Sequence, residues 1–256
     1  KLPNREYEIA CYAYERLLFS LLVASDYYAT TYQKENYCIE SYGTITDINK
    51  LYQIYSDTDV MKKIRDYQKT EEHTEQNINS LRTELFLESE QTLLRHLDEN
   101  IYYLEAPTGS GKSNTAMNLS FQLIRNCDCL DKIMYIYPFN TLVEQNESIL
   151  RKIFGENPEA IEQIKVVNSI TPIYQTEVKE ENEKYVTACQ KALLDRQFFN
   201  YPIAVSTHVT LFRTMFGDNR EDAFSFHQLA NSVIVLDEIQ SYRNEIWTEI
   251  IVFLKM

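Results

Sequence analysis

The chain has 256 residues, of which 44% are hydrophobic and only five are Gly and six Pro, and its 38 acidic and 25 basic side chains leave a net charge of −13. That length can bury a substantial core, and the composition excludes a largely disordered chain. The charge argues against a broad nucleic-acid-binding surface, because phosphate contacts need Lys and Arg; a local basic groove or backbone N–H groups can still grip one strand.

From Asn4 to about Tyr32 the residues Ile9, Ala13, Leu17, Leu18, Leu21 and Leu22 recur at helical spacing, which predicts a long helix with one broad buried face in need of a partner. The apolar run Leu17 to Ala24 is about half the length of a bilayer span. With no leader pattern before it, the expectation is a soluble cytoplasmic protein with no membrane partner, and a chain opening on Lys1 without Met is expected to be a fragment. A second, more charged helical region runs from about Asp47 to Glu99, with Leu51, Ile54, Tyr55, Ile64, Ile78, Leu81, Leu85, Leu93, Leu94 and Leu97 as expected core positions. Within it, Asp66 to Asn79 has the composition of a solvated linker or exposed helix.

After residue 100 short apolar runs alternate with helical stretches, the pattern of a parallel sheet covered by helices on both faces. The expected strands are Ile101 to Glu105, Lys132 to Tyr137, Ile164 to Val167, Ile203 to Ser206 and Val233 to Leu236. Helices are expected to start near Lys112, Thr141, Tyr185, His208 and Asp222, with a last one after Gln240. The five cysteines, Cys11, Cys38, Cys127, Cys129 and Cys189, are odd in number and lack C-x-x-C spacing, so reduced thiols are expected and no zinc ribbon.

The strongest chemical signal is Glu105-Ala106-Pro107-Thr108-Gly109-Ser110-Gly111-Lys112-Ser113-Asn114, set between an expected strand and an expected helix. Glycines there let backbone N–H groups approach phosphate oxygens, and a helix N-terminus adds positive potential. Pro107 through Asn114 would cradle ATP, with Lys112 on the β and γ phosphates and the Ser113 hydroxyl on Mg²⁺. Ala106 stands where the strict phosphate-loop pattern has its first glycine. The second signal is Val233-Ile234-Val235-Leu236-Asp237-Glu238, an apolar strand ending in two carboxylates. Asp237 would hold Mg²⁺ and Glu238 would orient or deprotonate the attacking water; alone, the pair could equally open a helix.

Two weaker features lie between them. Pro138, Asn140, Thr141 and Gln145 follow one expected strand and Ser206 and Thr207 end another, positions from which amide and hydroxyl groups can hold a phosphodiester backbone. The alternative is that Thr141 and Thr207 merely cap helices.

In this order, the motifs resemble the first RecA-like domain of a superfamily 2 helicase, a group in which alanine commonly replaces that first glycine. The runs Ile101 to Lys112 and Ile234 to Tyr242, the latter with Asp237-Glu238-Ile239-Gln240-Ser241-Tyr242, resemble the CRISPR-associated helicase-nuclease of type I interference systems. That resemblance implies three segments: residues 1–45 as the end of an HD-type nuclease domain, 46–77 as a helical linker, and 78–256 as an incomplete first RecA-like domain. It also makes Asp26, in Leu18-Phe19-Ser20-Leu21-Leu22-Val23-Ala24-Ser25-Asp26, a ligand of a divalent transition metal in the nuclease; a helix-surface Asp is the other reading. No His-Asp dipeptide occurs, and His73, His96, His208 and His227 all follow Asp26, so a complete nuclease site is not expected here.

The implied activity is ATP-dependent 3′-to-5′ unwinding and degradation of foreign DNA. The implied partners are single-stranded DNA, an RNA-guided CRISPR surveillance complex, and a second RecA-like domain on the same or a separate chain. Without that second domain and its arginine finger, this segment is expected to bind ATP far better than it hydrolyses it. Arg82 is the candidate adenine contact in a region that lacks the family's usual Gln. Two other readings stay open: a general DEAD/DEAH-type helicase outside CRISPR, and a truncated nucleotide-binding regulatory subunit without turnover.

Overall fold

A computed structural model describes residues 2–35, 42–67, 78–167, 192–242 and 247–255. Its centre is a four-stranded parallel sheet of β1 (Lys132–Tyr137), β2 (Ile164–Val167), β3 (Ile203–Thr207) and β4 (Ser232–Leu236), in the order β2-β3-β1-β4. Ile133 lies opposite Ile203 on one side and Val233 on the other, so the strands run in step and all end at one edge. Every residue of β1 is buried, as a strand covered on both faces requires.

Alternation along β1 divides the interior in two. Ile133, Tyr135 and Tyr137 face a core shared with α2 (Ile48–Ser56), α3 (Asp59–Arg65), α4 (Ile78–Arg95), α5 (Lys112–Asn126), α6 (Asn140–Phe154) and α7 (Pro158–Glu162). Met134 and Ile136 face a second core with α9 (His208–Phe216), α10 (Trp247–Leu254) and the long α1 (Leu2–Glu35). A short α8 covers 192–198, and single 3-10 turns span Arg220–Ala223, Phe226–Leu229 and Ile239–Ser241. The fold is therefore the expected RecA-like α/β sandwich. The expected helix start near Tyr185 lies outside the described residues.

Three local expectations are corrected. Residues 101–107 form no strand: among the described residues β4 pairs only with β1, and the segment leading to the glycine turn has no regular structure, with Ile101 and Tyr103 exposed. An apolar alternation suits a strand, but a strand exists only where its N–H and C=O groups pair with a neighbour, and alternation along a sequence does not show whether that pairing is made. On α1, Leu18, Leu21 and Leu22 are exposed, Leu22 at 71%, while Ser20, Val23 and Ala24 are buried in their place. On α4, Ile78, Leu81 and Leu94 are exposed, and the inward face is Thr83, Phe86, Glu90 and Leu93.

Polar anchors explain both helix orientations. Ser20 Oγ donates to the Phe224 carbonyl at 2.8 Å, Tyr12 Oη to that of Met215 at 2.9 Å, and Arg16 Nε to that of Thr214 at 2.8 Å. The last two acceptors lie in the final turn of α9, where free carbonyls attract a cation. Glu90, only 9% exposed, takes two bonds from the Arg65 guanidinium, both 2.7 Å, and also accepts from Asn118 and Gln122 of α5. Burial alone would raise the Glu90 carboxyl, but these donors outweigh it and hold it below its ordinary range. The described part of the expected helical linker, residues 46–67, carries α2 and α3, whose Leu51, Tyr55, Met61 and Ile64 belong to the larger core.

Candidate nucleotide-binding site

Three strands end at the same edge, and each is followed by one of the polar motifs, which is where ligands bind in open α/β sheets. Asn140 opens α6 after β1, His208 opens α9 after β3, and Asp237-Glu238 follow β4. The glycine loop enters beside them. Gly109 (φ 80°) and Gly111 (φ 88°) are both left-handed, and Gly111 caps α5, so Lys112, Ser113 and Asn114 form its first turn. Their N–H groups have no acceptor within the helix and are free to face an anion.

Lys112 Nζ donates to the Ala106 carbonyl at 2.8 Å, closing the loop on itself. Ser110 Oγ is buried with no hydrogen-bond partner among the described residues. A cation on a main-chain oxygen, a buried hydroxyl without a partner among the described residues and a first turn of donors fit a polyphosphate. Tyr55 Oη of α2 reaches the Asn114 carbonyl at 3.1 Å and fixes the start of α5 from behind. The helical spacing marked Tyr55 as buried; nothing local marked its partner.

Asp237 N–H donates to the Ile136 carbonyl at 3.0 Å, one last rung of the sheet, and Asp237 Oδ1 accepts from Glu238 N–H at 2.9 Å. Burial raises the Asp237 carboxyl above its usual range; the Glu238 N–H and the Lys112 ammonium pull it back, and the Glu238 carboxylate adds to the rise. Glu238 sits at φ 50°, a left-handed position costly for a side-chain-bearing residue, and its carboxylate accepts from Gln240. Tyr242 Oη lies 2.6 Å from the Asp237 carbonyl and 3.1 Å from that of Ile136, pinning the acidic turn to β1.

Among the expected nucleic-acid contacts, Thr141 and Gln145 are exposed on the outer side of α6 beside exposed Phe139. Asn140 is half-buried, its Oδ1 without a hydrogen-bond partner among the described residues. Neither threonine caps a helix through its side chain: Phe139 is the cap residue of α6, and Thr207, largely buried at the cap of α9, has its hydroxyl 3.3 Å from Thr210 Oγ1. Two expectations fail. Ser206 is fully buried with its hydroxyl donating to the Val167 carbonyl, and Pro138 is buried, so neither offers a surface to a strand. In a doubly covered sheet the side chain just before a strand end still points into a layer, which a sequence run does not reveal.

Arg82 lies against the glycine loop, its Nε donating to the Gly109 carbonyl at 2.7 Å. Asp26 is exposed on α1, and among the described residues no group of three His, Cys, Asp or Glu is placed to hold a metal. No described helix is long and apolar enough to cross a membrane.

A parallel sheet with a glycine loop and an acidic turn facing each other at its carboxyl edge defines a nucleotide-binding motor lobe. The DEAD/DEAH box helicase family model matches residues 76–254, and the chain belongs to that family. It is also similar to the CRISPR-associated nuclease/helicase Cas3 of Haloferax volcanii, at 24% identity over 151 residues, 56% of this chain and 16% of that relative. The chain therefore spans about a sixth of the length of that curated relative.

Proposed function

We propose that this chain is the ATP-binding lobe of an ATP-dependent DNA helicase-nuclease that unwinds and degrades foreign DNA in CRISPR interference. The observation that carries the reading is the glycine loop, left-handed at Gly109 and Gly111 and opening α5 at Lys112, beside a parallel sheet whose β4 ends on Asp237-Glu238. Similarity to a CRISPR-associated nuclease/helicase supports the biological setting.

In this reading Lys112 exchanges the Ala106 carbonyl for the β and γ phosphates of ATP, while Gly111 and the first turn of α5 supply N–H donors. Ser113 and Asp237 are the side chains that would hold Mg²⁺, which supplies charge neutralisation as the γ-phosphoryl group leaves. Glu238 orients the attacking water and accepts its proton. Single-stranded DNA runs over Thr141 and Gln145 and the turn at Thr207, gripped through its backbone, which suits a protein of net charge −13. The second RecA-like domain, a surveillance complex as recruiter, a cytoplasmic location, and residues 1–45 with Asp26 as part of a metal-dependent nuclease complete the proposal.

The test is a gel assay of the full-length protein on partial-duplex DNA with ATP and divalent metal. Unwinding together with cutting of the displaced strand is expected. ATP-dependent unwinding with no cutting at any metal would leave a general DEAD/DEAH-type helicase, which the family match supports on its own.

A further inference from the structure

Arg82 lies outside the glycine loop and against it. It springs from the second turn of α4, and two hydrogen bonds fix its path. The guanidinium donates through Nε to the Gly109 carbonyl at 2.7 Å and through Nη1 to Asn79 Oδ1 at 3.1 Å. A Cβ built on Gly109 would meet only Arg82 Nη2, at 3.8 Å, and one built on Gly111 would meet only Arg82 Cγ, at 3.9 Å. One side chain thus covers the outer face of both left-handed glycines. Its own base is rigid, because α4 is locked to α5 through Glu90, Asn118 and Gln122.

We propose that Arg82 is a positioning residue that shapes the phosphate loop from its outer side, and that it takes no part in reading the base. A trans peptide holds its C=O and N–H on opposite sides, so a guanidinium on the Gly109 carbonyl fixes the orientation of the whole 109–110 unit. The Ser110 N–H is thereby turned to the Pro107 carbonyl, at 3.2 Å, which closes the turn and sets Gly111 as the cap of α5. A glycine turn without that brace samples many conformations, and binding has to select among them. The inference rests on the nucleotide-loop reading and names what keeps that loop ready.

Displacement of a fluorescent ADP analogue from the full chain by ADP, GDP and tripolyphosphate tests it. Arg82→Ala is expected to weaken all three by the same factor, roughly ten-fold, the usual scale for one charge-assisted hydrogen bond. Arg82→Lys, which keeps a donor for the Gly109 carbonyl, should recover most of the loss, and Asn79→Ala should cost roughly three-fold through the weaker hold on Arg82. Amide exchange in ligand-free protein adds a readout independent of binding: Arg82→Ala should speed exchange across residues 106–113 and leave the body of α5 unchanged. A loss confined to ADP would make Arg82 a base reader and overturn the proposal, and so would unchanged affinity for all three ligands. Wild-type protein that bound none of them would overturn the nucleotide reading itself.

Discussion

His208 and Tyr242 stack face to face, with ring centroids 4.8 Å apart and planes inclined by 15°. The first residue of the helix after β3 is thereby coupled to the acidic turn after β4, since Tyr242 Oη also sits on the Asp237 carbonyl. Phe212 and Trp247 close the cluster edge-on and stacked, respectively, around Tyr242. Tyr242→Phe keeps the stack and deletes the hydrogen bond. About 1 kcal/mol of stability should be lost, visible in urea unfolding, with ATP hydrolysis by the full-length protein falling more than ATP affinity as Asp237-Glu238 loosens.

Lys112→Ala and Glu238→Gln should separate binding from chemistry. Removal of the ammonium takes away the loop's side-chain cation, so ATP affinity should fall at least 100-fold in a titration, on the order of 3 kcal/mol for a charge pair at a sheltered site. Glu238→Gln should bind ATP as the wild type does and hydrolyse it at under roughly a hundredth of the rate, as loss of a general base implies. Unchanged turnover would remove Glu238 from the mechanism.

Glu90 anchors α3, α4 and α5 at one point. Glu90→Ala leaves Arg65, Asn118 and Gln122 without their shared acceptor and should cost about 3 kcal/mol in denaturant unfolding; Arg65→Ala should cost a similar amount, because it leaves the buried Glu90 carboxylate without its cation. The carboxyl is held below its ordinary range, so the stabilisation is present above the unfolded value near pH 4.5 and is lost as pH falls through the folded one.

His227 supplies a second acid-sensitive site, this time under α1. Ser20 Oγ gives its proton to the Phe224 carbonyl, so His227 Nδ1, 2.7 Å away, must be the donor to Ser20, and Nε2 faces the Gln228 amide at 3.1 Å. Burial and then the Lys132 cation lower the imidazole from 6.5 to about 4. Between pH 6.5 and 4 the unfolded chain binds the extra proton and the folded one does not, so stability should be full above 6.5 and decline as pH drops toward 4. His227→Gln should flatten that slope in thermal unfolding.

Thr141 and Ser206 separate the contact expected on the surface from the one that proved buried. Thr141→Ala and Gln145→Ala should each weaken single-stranded DNA binding by the full-length protein about three-fold, the scale of one backbone contact. Ser206→Ala should leave that affinity unchanged and cost about 1 kcal/mol of stability, because the lost bond joins β3 to the Val167 carbonyl of β2. A DNA-binding defect in Ser206→Ala would reverse this assignment.

The amino-acid sequence by itself determined the features whose physics is local. The four sheet strands are short apolar runs bounded by breakers, and the glycine loop is dictated by residues that tolerate left-handed backbone immediately before a helix. The acidic pair was visible because an apolar strand ends on it. Tertiary structure decided everything that needed a partner from elsewhere in the chain. Helical periodicity gives α1 several candidate faces, and only the free carbonyls of α9 waiting for Tyr12 and Arg16 select the one that turns Leu22 outward. Glu90 becomes a core residue only because Arg65 is there to neutralise it, and the apolar alternation of residues 101–105 did not show that they make no ladder with the sheet. Spacing along a chain specifies which conformations are cheap, whereas the choice among them belongs to contacts between segments that the sequence keeps apart.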